Sequence, residues 1–183
     1  SDPSEEGGVY DVANFADGGG AVGTITAATL ASSNCAFVRL GMIAGMPNVA
    51  EMAYRLGIPR DRGDPDGDGE PNPTICASCN SSALGVASIT PLEMASAYAT
   101  IANDGVRVEP SLVAELIHAD GTTEQPPAPE TTRVVSASTA KQVRAMLEAV
   151  VGEGGTAPMA AIPGYRVGGK TGTAQAYNAS CGC

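Results

Sequence analysis

The stretch GYRVGGKTGTAQ at positions 164–175 offers its lysine to two different chemistries. Gly164 through Thr171 satisfy G-x-x-x-x-G-K-[ST], in which a glycine loop cradles phosphates and the lysine reaches them. Lys170-Thr171-Gly172 taken as a triplet instead offers a cation, a hydroxyl and a bare backbone to a peptide's carboxylate. Far upstream, Ser32-Ser33-Asn34 supplies a second hydroxyl and an amide, in the form S-x-N.

A phosphate loop needs a buried strand before its glycines and a helix directly after its lysine, so that the amides of the helix N-terminus face the anion. Here the lead-in APMAAIP ends in Pro163, and Thr171 is followed by Gly172 and TAQAYNASCGC, so neither flank fits. A short degenerate pattern also matches by chance in a chain with 23 glycines. The carboxylate reading places Lys170 on a strand, because YRVGGKTGTAQ holds β-prone residues.

The elements around these residues follow from their patterns. From Thr26, TAATL reads as a short helix, SSN interrupts it, and CAFVRLGMIAG resumes an apolar helix up to Gly45. Ser32, Ser33 and Asn34 therefore sit at a helix junction, where side chains are free to point into a cleft; simple helix capping is the plainer role for the same residues. Pro47 and Asn48 open another helix, with Val49, Met52, Ala53 and Leu56 on one face and Gly57 at its end. In TPLEMASAYATIANDG, Thr90 and Glu93 form a capping box, Pro91 takes the first helical position, and Asn103 to Gly105 stop the helix. Apolar nearly all round, it is predicted to be buried. VRVEP and SLVAELIHAD alternate like strands, Asp120-Gly121 signals a tight turn, and QPPAPE reads as a linker. STAKQVRAMLEAVVG is a helix ended by Gly152.

The remaining signals divide the function classes. Ten basic against twenty acidic residues give a formal charge of −10, which repels nucleic-acid backbones and anionic membrane surfaces. Without tryptophan and with two phenylalanines, the chain also lacks stacking platforms for single strands. No run of eighteen apolar residues and no signal peptide is visible. Cys76 and Cys79, with Cys181 and Cys183, allow a zinc site, a local disulfide, or disulfides linking the two pairs; Cys35 is left over as a small buried hydrophobe. Asp64, Asp66, Asp68 and Gly69 match the opening of a calcium loop, but Ile75 stands where a bidentate Glu belongs, so a solvated acidic loop is expected. His118 is expected to be structural.

NCAFVRL, MAYRLGI, ALGVASITPLEMASAYATIANDGVRVEP, the EGGTA loop and IPGYRVGGKTGTAQ together resemble the transpeptidase domain of penicillin-binding proteins across most of the chain. The order of Ser32-Ser33-Asn34 before Lys170-Thr171-Gly172 is that family's order. The LGVASITPLEMASAYATIANDG phrase looks most like the bifunctional class A enzymes, while the monofunctional class B enzymes stay open. The resemblance implies an α+β fold, part of the penicillin-binding and serine β-lactamase-like transpeptidase fold, with a helical subregion and part of an antiparallel sheet. It also implies that residues 1–183 are one partial transpeptidase domain, truncated at both ends. The implied activity is D,D-transpeptidation of peptidoglycan stem peptides through a serine acyl-enzyme that β-lactam antibiotics acylate. The place is the extracytoplasmic face of the bacterial membrane, reached through a segment outside this chain, with no cofactor or metal.

In that scheme Ser32 relays a proton, Asn34 holds the substrate backbone, and Lys170 supplies positive charge and supports the Ser32 hydroxyl. Thr171 and Thr173 bind the carboxylate, the Thr173 amide donates to the oxyanion, and Gly172 admits the substrate to the strand edge. The family's nucleophile lies in an S-x-x-K, and one such tetrad is present, Ser138-Thr139-Ala140-Lys141. It follows S-x-N where the family's precedes it, so Ser138 is expected to be a helix cap, Lys141 a solvated side chain, and the nucleophile to lie before Ser1. The chain alone is then expected to be inactive. Two other readings are a β-lactamase or β-lactam sensor of the same fold, and a non-catalytic cell-wall-binding or calcium-binding module.

Overall fold

The computed structural model describes residues 12–14, 23–63 and 72–172. In chain order the elements are helices α1 (Ile25–Leu30), α2 (Asn34–Ala44), α3 (Met46–Arg55) and α4 (Pro91–Ala102), strands β1 (Val106–Val108), β2 (Leu116–Ile117), β3 (Thr123–Glu124) and β4 (Thr131–Arg133), and helix α5 (Ala137–Val151). Two 3-10 turns, Asn80–Leu84 and Pro158–Ala160, complete them. The chain divides into two compact units.

The first unit draws on Ser1–Val49, Cys76–Ala87 and Arg144–Cys183. Its apolar centre includes Ala28, Val38, Met46, Val150 and Val151. Burying a valine of this kind contributes about 1.5–3 kcal/mol. The 3-10 turn Asn80–Leu84 packs on α2 through Gly41, where an added Cβ would lie 2.8 Å from the Ala83 Cβ and 3.0 Å from the Met46 sulfur. Cys76 and Cys79 form the local disulfide, one of the pairings the sequence left open, and the Ser82 hydroxyl donates to the Cys76 carbonyl at 2.8 Å. Cys35 is half-buried rather than buried, and its thiol donates to the Val12 carbonyl at 3.1 Å.

The second unit draws on Ala50–Ile75 and Ser88–Val143, around Ala50, Ile58, Ile75, Val134 and Ala140. Its α4 begins with the complete capping box. The Thr90 hydroxyl accepts from the Glu93 amide at 3.3 Å, and the Glu93 carboxylate accepts from the Thr90 amide at 2.8 Å. Arg62 adds an ion pair to Glu93 at 2.7 Å; that hydrogen bond first, and the Thr90 amide second, hold the Glu93 carboxyl below its ordinary value. After α4 the chain reverses through Asp104 and Gly105 at φ 51° and 81°. An added Cβ on Gly105 would meet the Val135 carbonyl oxygen at 2.4 Å. β1 then pairs antiparallel with β4, Val106 opposite Arg133, and β2 with β3, Leu116 opposite Glu124. The Asp120-Gly121 turn closes that hairpin with Gly121 at φ 82°, and His118 approaches Glu124 across it at 3.2 Å.

Several expectations change. QPPAPE leads directly into β4, a strand the sequence did not suggest, because its three residues find a ladder on β1. α4 is not buried: Thr100 is its buried residue, while Leu92 and Met94 are 58% and 42% exposed, so one apolar face meets solvent in this structure. Residues 161–172 form no strand either, since none of the described residues makes a ladder with them. The acidic loop's Asp64, Asp66 and Asp68, together with Cys181 and Cys183, lie outside the described residues. Among the described residues, no helix is long and apolar enough to cross a membrane.

Candidate active site

The site lies in the first unit and starts at the end of α1. Ala31 caps the helix, Ser32 follows at φ 49°, and Ser33 returns to extended backbone. The Ser33 amide donates to the Ala28 carbonyl at 3.0 Å and the Ser32 amide to the Thr29 carbonyl at 3.2 Å. This pair of bonds is a Schellman ending, whose left-handed position is ordinarily glycine. A serine there carries a backbone cost of about 1–2 kcal/mol. It turns the hydroxyl out of the helix ladder.

Ser33 serves two helices at once. Its amide ends α1, and its hydroxyl, in a residue 2% exposed, starts α2 by accepting from the Ala36 amide at 3.3 Å. Asn34 is the first residue of α2, and its side-chain amide donates to the Ala13 carbonyl at 2.9 Å. Asn14 adds to this clasp, its side-chain oxygen accepting from the Ser33 hydroxyl and the Cys35 amide, each at 3.3 Å.

The other half of the site is laid along α5. The Gly169 amide donates to the Leu147 carbonyl at 3.1 Å, and a Cβ on Gly168 would stand 3.2 Å from the Leu147 Cβ. Glycine thus lets the segment press onto the helix. Lys170 is aimed from there at Ser32: its ammonium donates to the Ser32 hydroxyl oxygen at 2.5 Å, to the Thr171 carbonyl at 3.0 Å and toward the Thr171 hydroxyl at 3.5 Å. Those are the three donors an ammonium has. Partial burial holds its pKa below the ordinary lysine value, because desolvation disfavours the charged form. An amine that yields its proton more readily, hydrogen-bonded to a hydroxyl, is equipped for proton relay.

Beyond Lys170, the Thr171 hydroxyl lies 3.0 Å from the Thr156 hydroxyl, and among the described residues nothing lies within 4 Å of the place a Gly172 Cβ would take. Thr173 is outside the described residues. The structure therefore joins Ser32, Lys170 and Thr171 and ties Asn34 to Ala13; among the described residues nothing crowds Gly172 and no hydrogen bond links Asn34 to Lys170. Thr156 is not among the site residues expected from sequence. Its only signal is a hydroxyl following Gly154 and Gly155.

Both competing lysine readings meet the geometry. Among the described residues no helix begins directly after Lys170 and no strand leads into Gly164, so Thr171 and Gly172 offer no helix amides to a phosphate. Ser138 lies inside the first turn of α5 and is not its cap; Ser136 takes that place, accepting from the Thr139 amide at 3.1 Å. The Ser138 hydroxyl meets the Ser136 hydroxyl at 2.9 Å, and Lys141 is exposed, as expected.

The two motifs thus meet on an α+β scaffold of helices and short antiparallel sheets. Residues 2–183 match the family model of the penicillin-binding protein transpeptidase domain, and the chain belongs to that family. It is 49% identical over 102 residues to the penicillin-binding protein PbpB of Mycobacterium tuberculosis, covering 52% of this chain and 15% of that protein. It is 34% identical over 157 residues to the peptidoglycan D,D-transpeptidase PbpA of Mycolicibacterium smegmatis, covering 79% of this chain and 30% of the relative. Among solved structures, penicillin-binding protein 3 of M. tuberculosis complexed with aztreonam superposes with a TM-score of 0.71 at 36% identity, over 87% of this chain and 39% of that one. The chain thus spans less than half of each of these proteins, and its fold is a part of the penicillin-binding transpeptidase fold.

Proposed function

We propose that the chain supplies one wall of the active site of a peptidoglycan D,D-transpeptidase, in which a serine is acylated by a stem peptide and the acyl group passes to a second peptide's amine. The observation that carries this is the 2.5 Å contact between Lys170 and Ser32, which joins two motifs 138 residues apart. Ser32 hands a proton between the Lys170 amine and the departing or attacking amine. Lys170 adds positive charge where the substrate's terminal carboxylate docks, and Thr171 and Thr173 bind that carboxylate. Gly172 leaves room for the peptide, and the Asn34 side-chain amide holds the peptide's backbone.

The nucleophile is a serine N-terminal to Ser1, and residues 1–183 are one part of the domain. β-Lactams acylate the same serine, in keeping with the related structures that hold aztreonam, ampicillin and imipenem. The reaction is placed at the extracytoplasmic face of the bacterial membrane, with the anchor outside this chain.

The test is to treat the full-length protein with labelled penicillin and map the adduct. A stable adduct on a serine of an S-x-x-K N-terminal to Ser1, formed far more slowly in the K170A variant, is the expected result. An adduct on Ser138, or labelling unaffected by K170A, would overturn the assignment. Rapid release of hydrolysed penicillin would identify a β-lactamase instead.

A further inference from the structure

We infer that Thr156 is a positioning residue that sets the proton direction of the Thr171 hydroxyl, so that this hydroxyl donates to an anionic ligand. The inference rests on the reading of Thr171 as a carboxylate clamp. It follows from counting hydrogen-bond capacity. A threonine hydroxyl has one donor and two acceptor lone pairs, an ammonium has donors only, and a carboxylate has acceptors only. The Thr171 oxygen already faces the Lys170 ammonium at 3.5 Å, which can only donate to it. The Thr156 hydroxyl, 3.0 Å away, is able to give or to receive.

If Thr156 received, the single proton of Thr171 would be spent on it and none would remain for a carboxylate. With Thr156 donating, both lone pairs of Thr171 are filled by Thr156 and Lys170, and its proton has only the ligand side left. Arrival of an anion therefore selects the second arrangement, a rotation of two hydroxyls with no movement of heavy atoms.

The backbone holds Thr156 in place for this. Gly155 precedes it, and a Cβ there would lie 2.1 Å from the Val150 carbonyl oxygen, so the loop is drawn tightly against the end of α5. The Ala157 amide closes the other side on the same Val150 carbonyl at 3.0 Å. Thr156 is thus clamped from both neighbours while its own hydroxyl faces Thr171. Thr171 is exposed, so without Thr156 its freed lone pair and its proton are both open to water. An arriving anion must then compete with water for that proton, with no Thr156 proton to fill the lone pair behind it.

The experiment compares wild type, T156V and T156S in the full-length protein. The readouts are the second-order acylation rate with benzylpenicillin and with its methyl ester, and the melting temperature of each variant. Wild type must be acylated, or both the functional reading and this inference fall. T156V keeps the shape and removes the hydroxyl. It is expected to slow benzylpenicillin about five- to tenfold, the loss of one hydrogen bond to an anion-binding group. It should slow the uncharged ester only about two- to threefold, because hydrogen bonds to a neutral acceptor are roughly half as strong. T156S, with its hydroxyl restored, is expected to stay within about twofold of wild type on both compounds, by the same capacity count. With wild type acylated, three results overturn the inference alone: T156V equal to wild type on benzylpenicillin, equal slowing on both compounds, or no rescue by serine.

Discussion

Ser32 occupies the position that a Schellman ending reserves for glycine, and two substitutions there separate what the fold needs from what the chemistry needs. S32A removes the acceptor of the Lys170 ammonium and keeps a Cβ at φ 49°. S32G removes the same acceptor and the backbone cost together. Releasing the left-handed residue is worth about 1–2 kcal/mol. Glycine returns about 0.4–1 kcal/mol of that through the added freedom of the unfolded chain. S32G is therefore expected to be more stable than S32A by about 0.5–1 kcal/mol, or roughly 1–4 °C in melting temperature for a domain of this size. Acylation by labelled penicillin should fall in both by about a hundredfold or more, the scale of losing a positioned proton carrier. The assay is paired melting and acylation measurements on the full-length protein. If S32G melts at or below S32A, no strain is stored at Ser32. If either variant acylates at the wild-type rate, Ser32 carries no proton in the reaction.

Two further predictions concern the other side of the site. Burial lowers the Lys170 pKa, so acylation should decline as pH rises through a value below that of an ordinary lysine, and K170R should move this alkaline limb out of range while keeping some activity. Unfolding cannot imitate that limb: between the lowered folded pKa and the unfolded one the unfolded chain binds more protons, so this group's contribution to stability rises with pH, and a melting curve at each pH checks it. Gly155→Ala should lower stability by about 1–3 kcal/mol in chemical denaturation, since its Cβ would need to displace the Val150 carbonyl. It should also slow acylation, because the displaced loop carries Thr156.

What could be read from the sequence were features that short segments decide for themselves. The α4 capping box needs only Thr90 and Glu93 three residues apart, and the β2–β3 turn needs only Asp120-Gly121. The junction at Ser32 to Asn34 was visible because capping residues break a helical run wherever they occur. Features that depend on a distant partner could not be read. YRVGGKTG has the composition of a strand, but a strand exists only with a ladder, and propensity does not supply one. The all-round apolar pattern of α4 reports what the helix would bury, and its exposed Leu92 and Met94 show that the pattern does not say against what. Thr156 acts through a contact fifteen residues away, with two glycines as its only mark.

The three residues of S-x-N illustrate how far a motif can be trusted, because each meets a different physical test. Ser33 is explained in full by its two helix ends, so its presence says nothing about catalysis. Asn34 is clasped by Ala13, and a clasp of that kind would suit a purely structural asparagine as well. Ser32 fails the structural explanation: as a helix ending it is worse than glycine, and its hydroxyl bonds to Lys170 rather than to the helix it ends. A residue that burdens the fold and faces a lysine from the far end of the chain is the point where the two motifs stop being a coincidence of short patterns. The same reasoning weighs against the phosphate loop, whose full pattern match at Gly164 to Thr171 brings no helix amides with it among the described residues, while the partial match through Ser32 brings a hydrogen bond.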